Sequence, residues 1–173
     1  MESHEDRPGQ RILLGRTTFE MMRSYWPHVT DPVNTVAATL NNGKKYVASN
    51  TLNDADTAWG DTTMLRGNVI EQVRKLKETP GGDLQVHGSW RLARNLHDAG
   101  LVDVYRLVQF PVLVGSGKRL FAHGVAPATY QIAESRALHG GKGATLLTLH
   151  QTTFGIAAVG EFEVRDGKEA VAS

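Results

Sequence analysis

An α/β fold with a mostly parallel sheet and an antiparallel hairpin toward the C-terminus is what this 173-residue sequence predicts. Three observations carry the prediction. Short apolar runs alternate with stretches of helical periodicity through the first hundred residues. Two of those runs pass through a small-residue turn directly into a helix, at Gly15 and at Gly88-Ser89. Two β-like segments, 129–138 and 144–150, flank the stretch His139-Gly140-Gly141-Lys142-Gly143, which reads as a hairpin with a glycine-rich tip.

In order, residues 11–14 are a strand-like run ending at Gly15. Thr17 and Glu20 stand at capping-box spacing, so a helix is expected with Thr17 as its N-cap. Phe19, Met22 and Trp26 form its apolar stripe and Pro27 closes it. Residues 31–43 read as loop or irregular helix. Residues 44–49 are a second strand closed by the turn residues Ser49-Asn50-Thr51, and 62–66 a short third. Asn68 and Glu71 repeat the capping spacing ahead of Val69, Ile70, Val73 and Leu76, a stripe that stops at Pro80-Gly81-Gly82.

Residues 84–87 are the next strand; after Gly88-Ser89, Leu92, Ala93 and Leu96 mark a helix ending near Gly100. Residues 102–114 are the longest β-like segment, with Pro111 arguing for a bulge or an edge-facing position. Gly115-Ser116-Gly117 turns the chain and Leu120-Phe121 anchors it. Residues 154–164 are expected to form a weak last strand or an ordered tail, and 165–173 to fray. The order is thus β-α-β-β-α-β-α-β-β-β.

The composition, 40% apolar and 21% charged with a net charge of +1, fits one globular domain and supplies no field for nucleic acid or an anionic membrane. No cysteine is present, which excludes disulfides, thiolate metal centres and a Cys nucleophile. The first ten residues lack the apolar core of a signal peptide, and no apolar run approaches the roughly 20 residues that span a bilayer. A cytoplasmic protein is expected, with residues 1–10 disordered or extended, a domain over 11–150 and a strand or tail over 151–173.

Two places have the residue types that bind phosphate. At Gly88-Ser89 a helix start offers unpaired N–H groups, and glycine lets an anion approach the backbone. At Gly15-Arg16-Thr17-Thr18 the same arrangement recurs with a guanidinium, whose fork suits a phosphate monoester. Taken singly, each is explained as well by a tight turn and a cap. Two such turns at the same ends of neighbouring strands are what a dinucleotide requires.

The seven histidines show no metal-ligand spacing. Ser116 has Val114 and Lys118 where the Gly-x-Ser-x-Gly nucleophile elbow needs glycines, so it reads as a turn serine, and Asp98 and Asp103 as cap or turn carboxylates. Trp26 reads as core, while Trp59 and Trp90 are candidates for stacking a planar ring.

With these modules in place, the chain resembles the dihydrofolate-reductase-like family that includes the reductase domain of riboflavin biosynthesis. The resemblance rests on 12–20 (Ile-Leu-Leu-Gly-Arg-Thr-Thr-Phe-Glu), Tyr25-Trp26-Pro27, Lys45-Tyr46-Val47-Ala48-Ser49, Val86-His87-Gly88-Ser89, and above all Gly100-Leu101-Val102-Asp103 through 111–121 (Pro-Val-Leu-Val-Gly-Ser-Gly-Lys-Arg-Leu-Phe). It implies a three-layer dihydrofolate-reductase-like fold with helices on both sheet faces. It also implies an NADPH-dependent reductase of the 5-amino-6-(5-phosphoribosylamino)uracil reductase-like class, acting on a small heterocyclic substrate. Carried over residue by residue, Gly15, Arg16, Thr17 and Thr18 would hold cofactor phosphates, with Arg16 near the 2′-phosphate. Ser49 and Asn50 would line the adenosine-phosphate pocket, and Gly88, Ser89, Trp90 and Arg91 would receive the pyrophosphate.

Members of that family place a strand and a helix ahead of the Leu-Leu-Gly-Arg-Thr strand, and residues 1–10 support neither. Three readings follow: a reductase; a catalytically inactive nucleotide-binding or dimerising protein of the same fold; or a natural chain with an upstream extension. No catalytic residue is named. An inner strand missing from a sheet leaves backbone donors uncovered, so residues 154–164 or a partner subunit are expected to fill its place. A homodimer is the expected assembly.

Overall fold

Four parallel strands, β1 (Arg11–Gly15), β2 (Lys44–Ala48), β3 (Thr62–Leu65) and β4 (Leu84–Val86), form a sheet in the order β3-β2-β1-β4. The computed structural model describes residues 10–121, 123–138, 143–159, 162–165 and 168–171. The chain divides into two compact units, the first running to residue 95 and the second from residue 96. The segment 1–10, expected to be disordered or extended, lies, but for Gln10, outside the described residues.

β1 is the spine of the first unit. Three consecutive residues, Ile12, Leu13 and Leu14, are each at most 1% exposed. Successive strand residues point to opposite faces, so both faces of the sheet are covered. On one face Ile12 and Leu14 pack with Phe19 of α1 (Arg16–Arg23), Leu40 of α2 (Thr35–Asn42), Val47, Leu52 and Trp59. Met22 and Trp26 of the expected stripe border this cluster. The connections from β1 to β2 and on to β3 step in one direction, whereas the one from β3 to β4 steps back past both. Right-handed crossovers in opposite directions lie on opposite faces, which puts α3 (Val69–Glu78) on the far side with its buried Val73. The sheet therefore has helices on both faces, as the resemblance implies.

Two helix starts differ in how far the sequence foretold them. α3 begins as expected, with the Asn68 side-chain oxygen accepting from the Glu71 N–H at 3.2 Å. α1 begins at Arg16, and its N-cap is Gly15 rather than Thr17, which lies in the first turn. The strand runs straight into the helix, so no residue is left over to act as a side-chain cap. Glu20 consequently turns toward Arg16 at 2.8 Å instead of reaching back to the helix start. The stretch expected as loop or irregular helix contains the regular α2, capped by Asn34, whose oxygen accepts from the Ala37 N–H at 2.9 Å.

Lys45 on β2 is fully covered. Its ammonium donates to the carbonyls of Gly43 at 2.7 Å and Asn41 at 3.3 Å, at the C-terminus of α2, and lies 4.8 Å from the centre of the Trp59 ring. A cation at the negative end of a helix and over an aromatic face recovers part of the solvation it loses. Burial still lowers its pKa below the ordinary lysine value, against the opposing pull of Asp61.

Helix α4 (Trp90–Asp98) leads into the second unit. There β5 (Val104–Gln109), β6 (Ala128–Ala137) and β7 (Thr145–Phe154) form an antiparallel sheet in the order β5-β7-β6. The hairpin matches the expectation; most of its tip, 139–142, lies outside the described residues. The expected strand over 102–114 covers only β5. Pro111 has no N–H to give to a ladder, and the Val112 N–H folds back onto the Phe110 carbonyl at 2.8 Å, so the chain leaves the sheet.

The buried His97 organises this unit. Its Nε2 donates to the Ala126 carbonyl, which can only accept, at 2.8 Å, and its Nδ1 lies 3.2 Å from the Tyr130 hydroxyl. The rings of Tyr105, Phe121, Tyr130 and Phe154 surround it. Burial raises the pKa of both tyrosines.

A third sheet, β8 (Ala157–Val159), β9 (Phe162–Arg165) and β10 (Lys168–Val171), is antiparallel in the order β10-β9-β8. This corrects two expectations. The 154–164 stretch does not supply an inner strand to the parallel sheet, because its strands pair within this one. Residues 168–171 are paired with β9 rather than frayed; 166–167 and 172–173 lie outside the described residues.

Candidate functional site

In an open parallel sheet the strand order reverses at one place, and the crevice beyond the C-terminal strand ends there accepts ligands. Here that place is between β1 and β4. The chain leaves β1 at Gly15 and leaves β4 through His87, Gly88 and Ser89, so both turns singled out in the sequence border the crevice.

The two turns are fastened together. The Gly15 N–H donates to Ser89 Oγ at 2.8 Å, and Ser89 Oγ lies 3.0 Å from Thr18 Oγ1 and 3.2 Å from the His87 carbonyl, either of which can take its single proton. Gly88 and Ser89 both have left-handed backbones, with φ of 57° and 56°. Glycine adopts this conformation freely, but for serine it is strained. The three contacts of its hydroxyl offset that cost. A Cβ on Gly15 would stand 3.3 Å from Ser89 Oγ, and one on Gly88 3.4 Å from the Thr18 methyl. The turns are thus close enough that a side chain on either glycine would fill the space between them.

Two helices open at this crevice. α1 has no side-chain cap, and neither α1 nor α4 carries an acid in its first turn. Their first-turn N–H groups and positive dipole ends make the crevice suited to an anion.

Around this centre the remaining candidates sort by what they touch. Arg16 holds Glu20 through Nε at 2.8 Å and Thr51 Oγ1 through its terminal nitrogen at 2.6 Å, while its side chain stays 48% exposed. Thr17 is exposed beside it. Ser49 is buried and points inward: its Oγ accepts from the N–H groups of Thr51 and Leu52 at 3.2 and 3.0 Å. Asn50 accepts from the Gly67 N–H at 2.7 Å, tying the end of β2 to the end of β3. These two side chains shape the turn that presents Thr51. The Arg91 guanidinium lies 5.5 Å from the centre of the Trp90 ring at the head of α4.

Three residues of this edge escaped the sequence reading as site candidates. Thr51 closes the Ser-Asn-Thr turn, where its position two residues past the strand was the available signal. Arg66, at the end of β3, donates to the Leu52 carbonyl at 2.7 Å and to Asp54 at 2.8 Å, adding a second guanidinium to the same sheet edge. His87, at the end of β4, sits 3.1 Å from Gln85, and burial lowers its pKa, which favours a neutral ring. Among the described residues no group of three or more His, Cys, Asp or Glu is placed to hold a metal ion. No described helix is long and apolar enough to cross a membrane.

Comparison with known proteins gives three kinds of match. The profile of the RibD C-terminal domain family matches residues 3–143. The uncharacterized protein YyaP of Bacillus subtilis (strain 168) is 37% identical over 112 residues, which are 64% of this chain and 58% of that one. The chain thus matches little more than half the length of this curated relative. Among solved structures, a protein assigned to riboflavin biosynthesis from Shewanella sp. PV-4 aligns with a TM-score of 0.64 at 20% identity, covering 84% of this chain and 75% of that one. A pyrimidine reductase-like protein from Corynebacterium diphtheriae aligns with a TM-score of 0.55 at 10% identity, covering 83% and 76%. At these identities the two structures establish the fold.

Proposed function

The chain belongs to the RibD C-terminal domain family, and from that premise we propose that it is an NADPH-dependent reductase acting on a small heterocyclic substrate of pyrimidine or pterin-like shape. The observation that carries this reading is the clasp between the two strand-to-helix turns, Gly15 N–H to Ser89 Oγ to Thr18 Oγ1, at the switch point of the sheet. It fixes the starts of α1 and α4 side by side, as the two phosphates of a dinucleotide require.

In this reading Gly88 and the first turns of α1 and α4 receive the pyrophosphate. Arg16, already oriented by Glu20 and Thr51, meets the 2′-phosphate with its exposed face, and Arg66 adds positive charge to the same edge. Ser49 and Asn50 hold the turn that carries Thr51, at the adenosine-phosphate side of the crevice. Trp90 and Arg91 flank the crevice at the head of α4. The cofactor, when bound, supplies a hydride; the residues named here bind and orient it. The pyrimidine reductase-like and riboflavin-biosynthesis descriptions of the two structural neighbours support the substrate class.

The test is a titration of the purified chain with NADPH and with NADH, followed by intrinsic tryptophan fluorescence and by heat of binding. Micromolar binding selective for NADPH is expected. Absence of binding to either nucleotide overturns the reading and leaves a fold kept for assembly rather than catalysis.

A further inference from the structure

Helix α1 sets an acid and a base side by side at the edge of the crevice. Beside the adenosine ribose of a dinucleotide, an acid suits the free 2′-hydroxyl and a guanidinium suits the 2′-phosphate. Here the two hold each other, with Arg16 Nε 2.8 Å from the Glu20 carboxylate. Both side chains reach solvent, Arg16 with 48% of its surface exposed and Glu20 with 39%. A terminal nitrogen of Arg16 also donates to Thr51 Oγ1 at 2.6 Å. Two of the five guanidinium N–H groups are thus engaged, and the rest lie at the open end of the fork.

We propose that Glu20 sets how far the chain prefers NADPH over NADH, by holding Arg16 in place while cancelling its charge. The inference rests on the reading in which Arg16 meets the 2′-phosphate. The two actions of Glu20 oppose each other. Together with Thr51 it fixes the guanidinium from two sides, so a ligand need not order a long side chain on binding. Its carboxylate also stays beside the bound phosphate, and a neutral ion pair attracts a dianion less than a lone guanidinium does. Thr51 orients Arg16 as a neutral acceptor, so the negative charge of Glu20 is what limits the seat.

Arg66 repeats the arrangement at the end of β3, where its guanidinium lies 2.8 Å from the Asp54 carboxylate and 2.7 Å from the Leu52 carbonyl. Each of these two guanidiniums is matched by an acid of the chain itself. The phosphate is therefore recognised by directed N–H groups rather than by a positive field, and NADPH binds below the affinity that the same arginines allow.

Calorimetric titration of NADPH and NADH into the full chain and its Glu20→Gln variant, at low and high salt, tests the proposal, with circular dichroism as the folding control. Glutamine keeps the length of the side chain and an oxygen that accepts from Arg16 Nε, and loses only the charge. NADPH affinity is expected to rise about three- to tenfold at low salt and less at high salt, while NADH affinity does not rise. Glu78→Gln makes the same change in net charge at the far end of α3, next to the residues that Arg11 contacts at the start of β1, and is expected to gain nothing. An unchanged or weaker NADPH affinity in Glu20→Gln overturns the proposal, as does an equal gain in Glu78→Gln or a gain that high salt leaves intact. In each of these cases NADPH binding by the unaltered chain still stands. Failure of the unaltered chain to bind NADPH is a separate outcome, which removes the cofactor reading itself and this proposal with it.

Discussion

Gly88-Ser89 and Gly115-Ser116-Gly117 look alike in the sequence: each puts glycine and serine just after a β-like run. In the structure they are opposites. At the first, a Cβ on Gly88 meets Thr18, and the serine hydroxyl joins two turns. At the second, a Cβ on Gly115 or Gly117 meets nothing within 4 Å, and all three residues are exposed. Both have glycines of positive φ, so the need for glycine does not distinguish them. What distinguishes them is strand order, which brings a second turn against the first and leaves the other bare. A turn becomes a site through what is packed beside it.

The comparison can be broken or sharpened by substitution. The largest effect is expected from Gly88→Val, which forces a β-branched residue to a φ of 57° and fills the cradle. It should abolish binding of NADPH and NADH alike in calorimetry and lower stability by about 1–3 kcal/mol. A folded variant with unchanged binding would reduce this turn to the status of the other. Arg16→Ala comes next: a charge-assisted contact is worth about 1.5–3 kcal/mol, so NADPH affinity should fall roughly ten- to a hundredfold while NADH affinity falls less. Equal weakening of both would remove Arg16 from the 2′-phosphate.

Ser89→Ala deprives the Gly15 N–H of its acceptor and should cost about 1–2 kcal/mol in thermal unfolding, whereas Ser116→Ala should stay within about 0.5 kcal/mol. Comparable losses in both would erase the contrast. The smallest effect is on pH dependence. His87, before Gly88, has a folded pKa below its ordinary 6.5 because of burial. As pH falls below about 6.5 the unfolded chain takes up this proton first, so stability declines until the folded ring titrates as well. Replacing it, as in His87→Gln, should flatten that acid limb of a denaturation profile and leave the region above pH 7 unchanged.

The elements most legible in the sequence were those whose signals are local. Asn68 and Glu71 announced α3, and the run Ile12-Leu13-Leu14 announced a strand, which the structure buries on both faces. α2 was hidden because Thr35, Val36 and Thr39 dilute its helical propensity, although Asn34 stood ready as its cap. The end of β5 was misplaced because Val112, Leu113 and Val114 look like strand residues, yet they lie after Pro111 and face solvent. At the site, the two glycine turns were visible as turns. The clasp joining them was not, since Gly15 and Ser89 are 74 residues apart and meet only through the order of the strands. Ser49 and Asn50 make contacts of the same hidden kind: their side-chain oxygens accept from the backbone of Thr51, Leu52 and Gly67, partners that the sequence alone does not identify.

Lys45 carries a consequence for how the molecule can be watched. Amine-acylating reagents need a free, solvent-reached nitrogen, and this one is sealed beneath Trp59 and the end of α2. Exposed lysines such as Lys44, Lys75 and Lys118 should label at once, and Lys45 only when that corner opens. Its slow acylation, read by mass spectrometry at a single residue, would serve as a clock for local opening of the first unit under conditions where the protein stays folded.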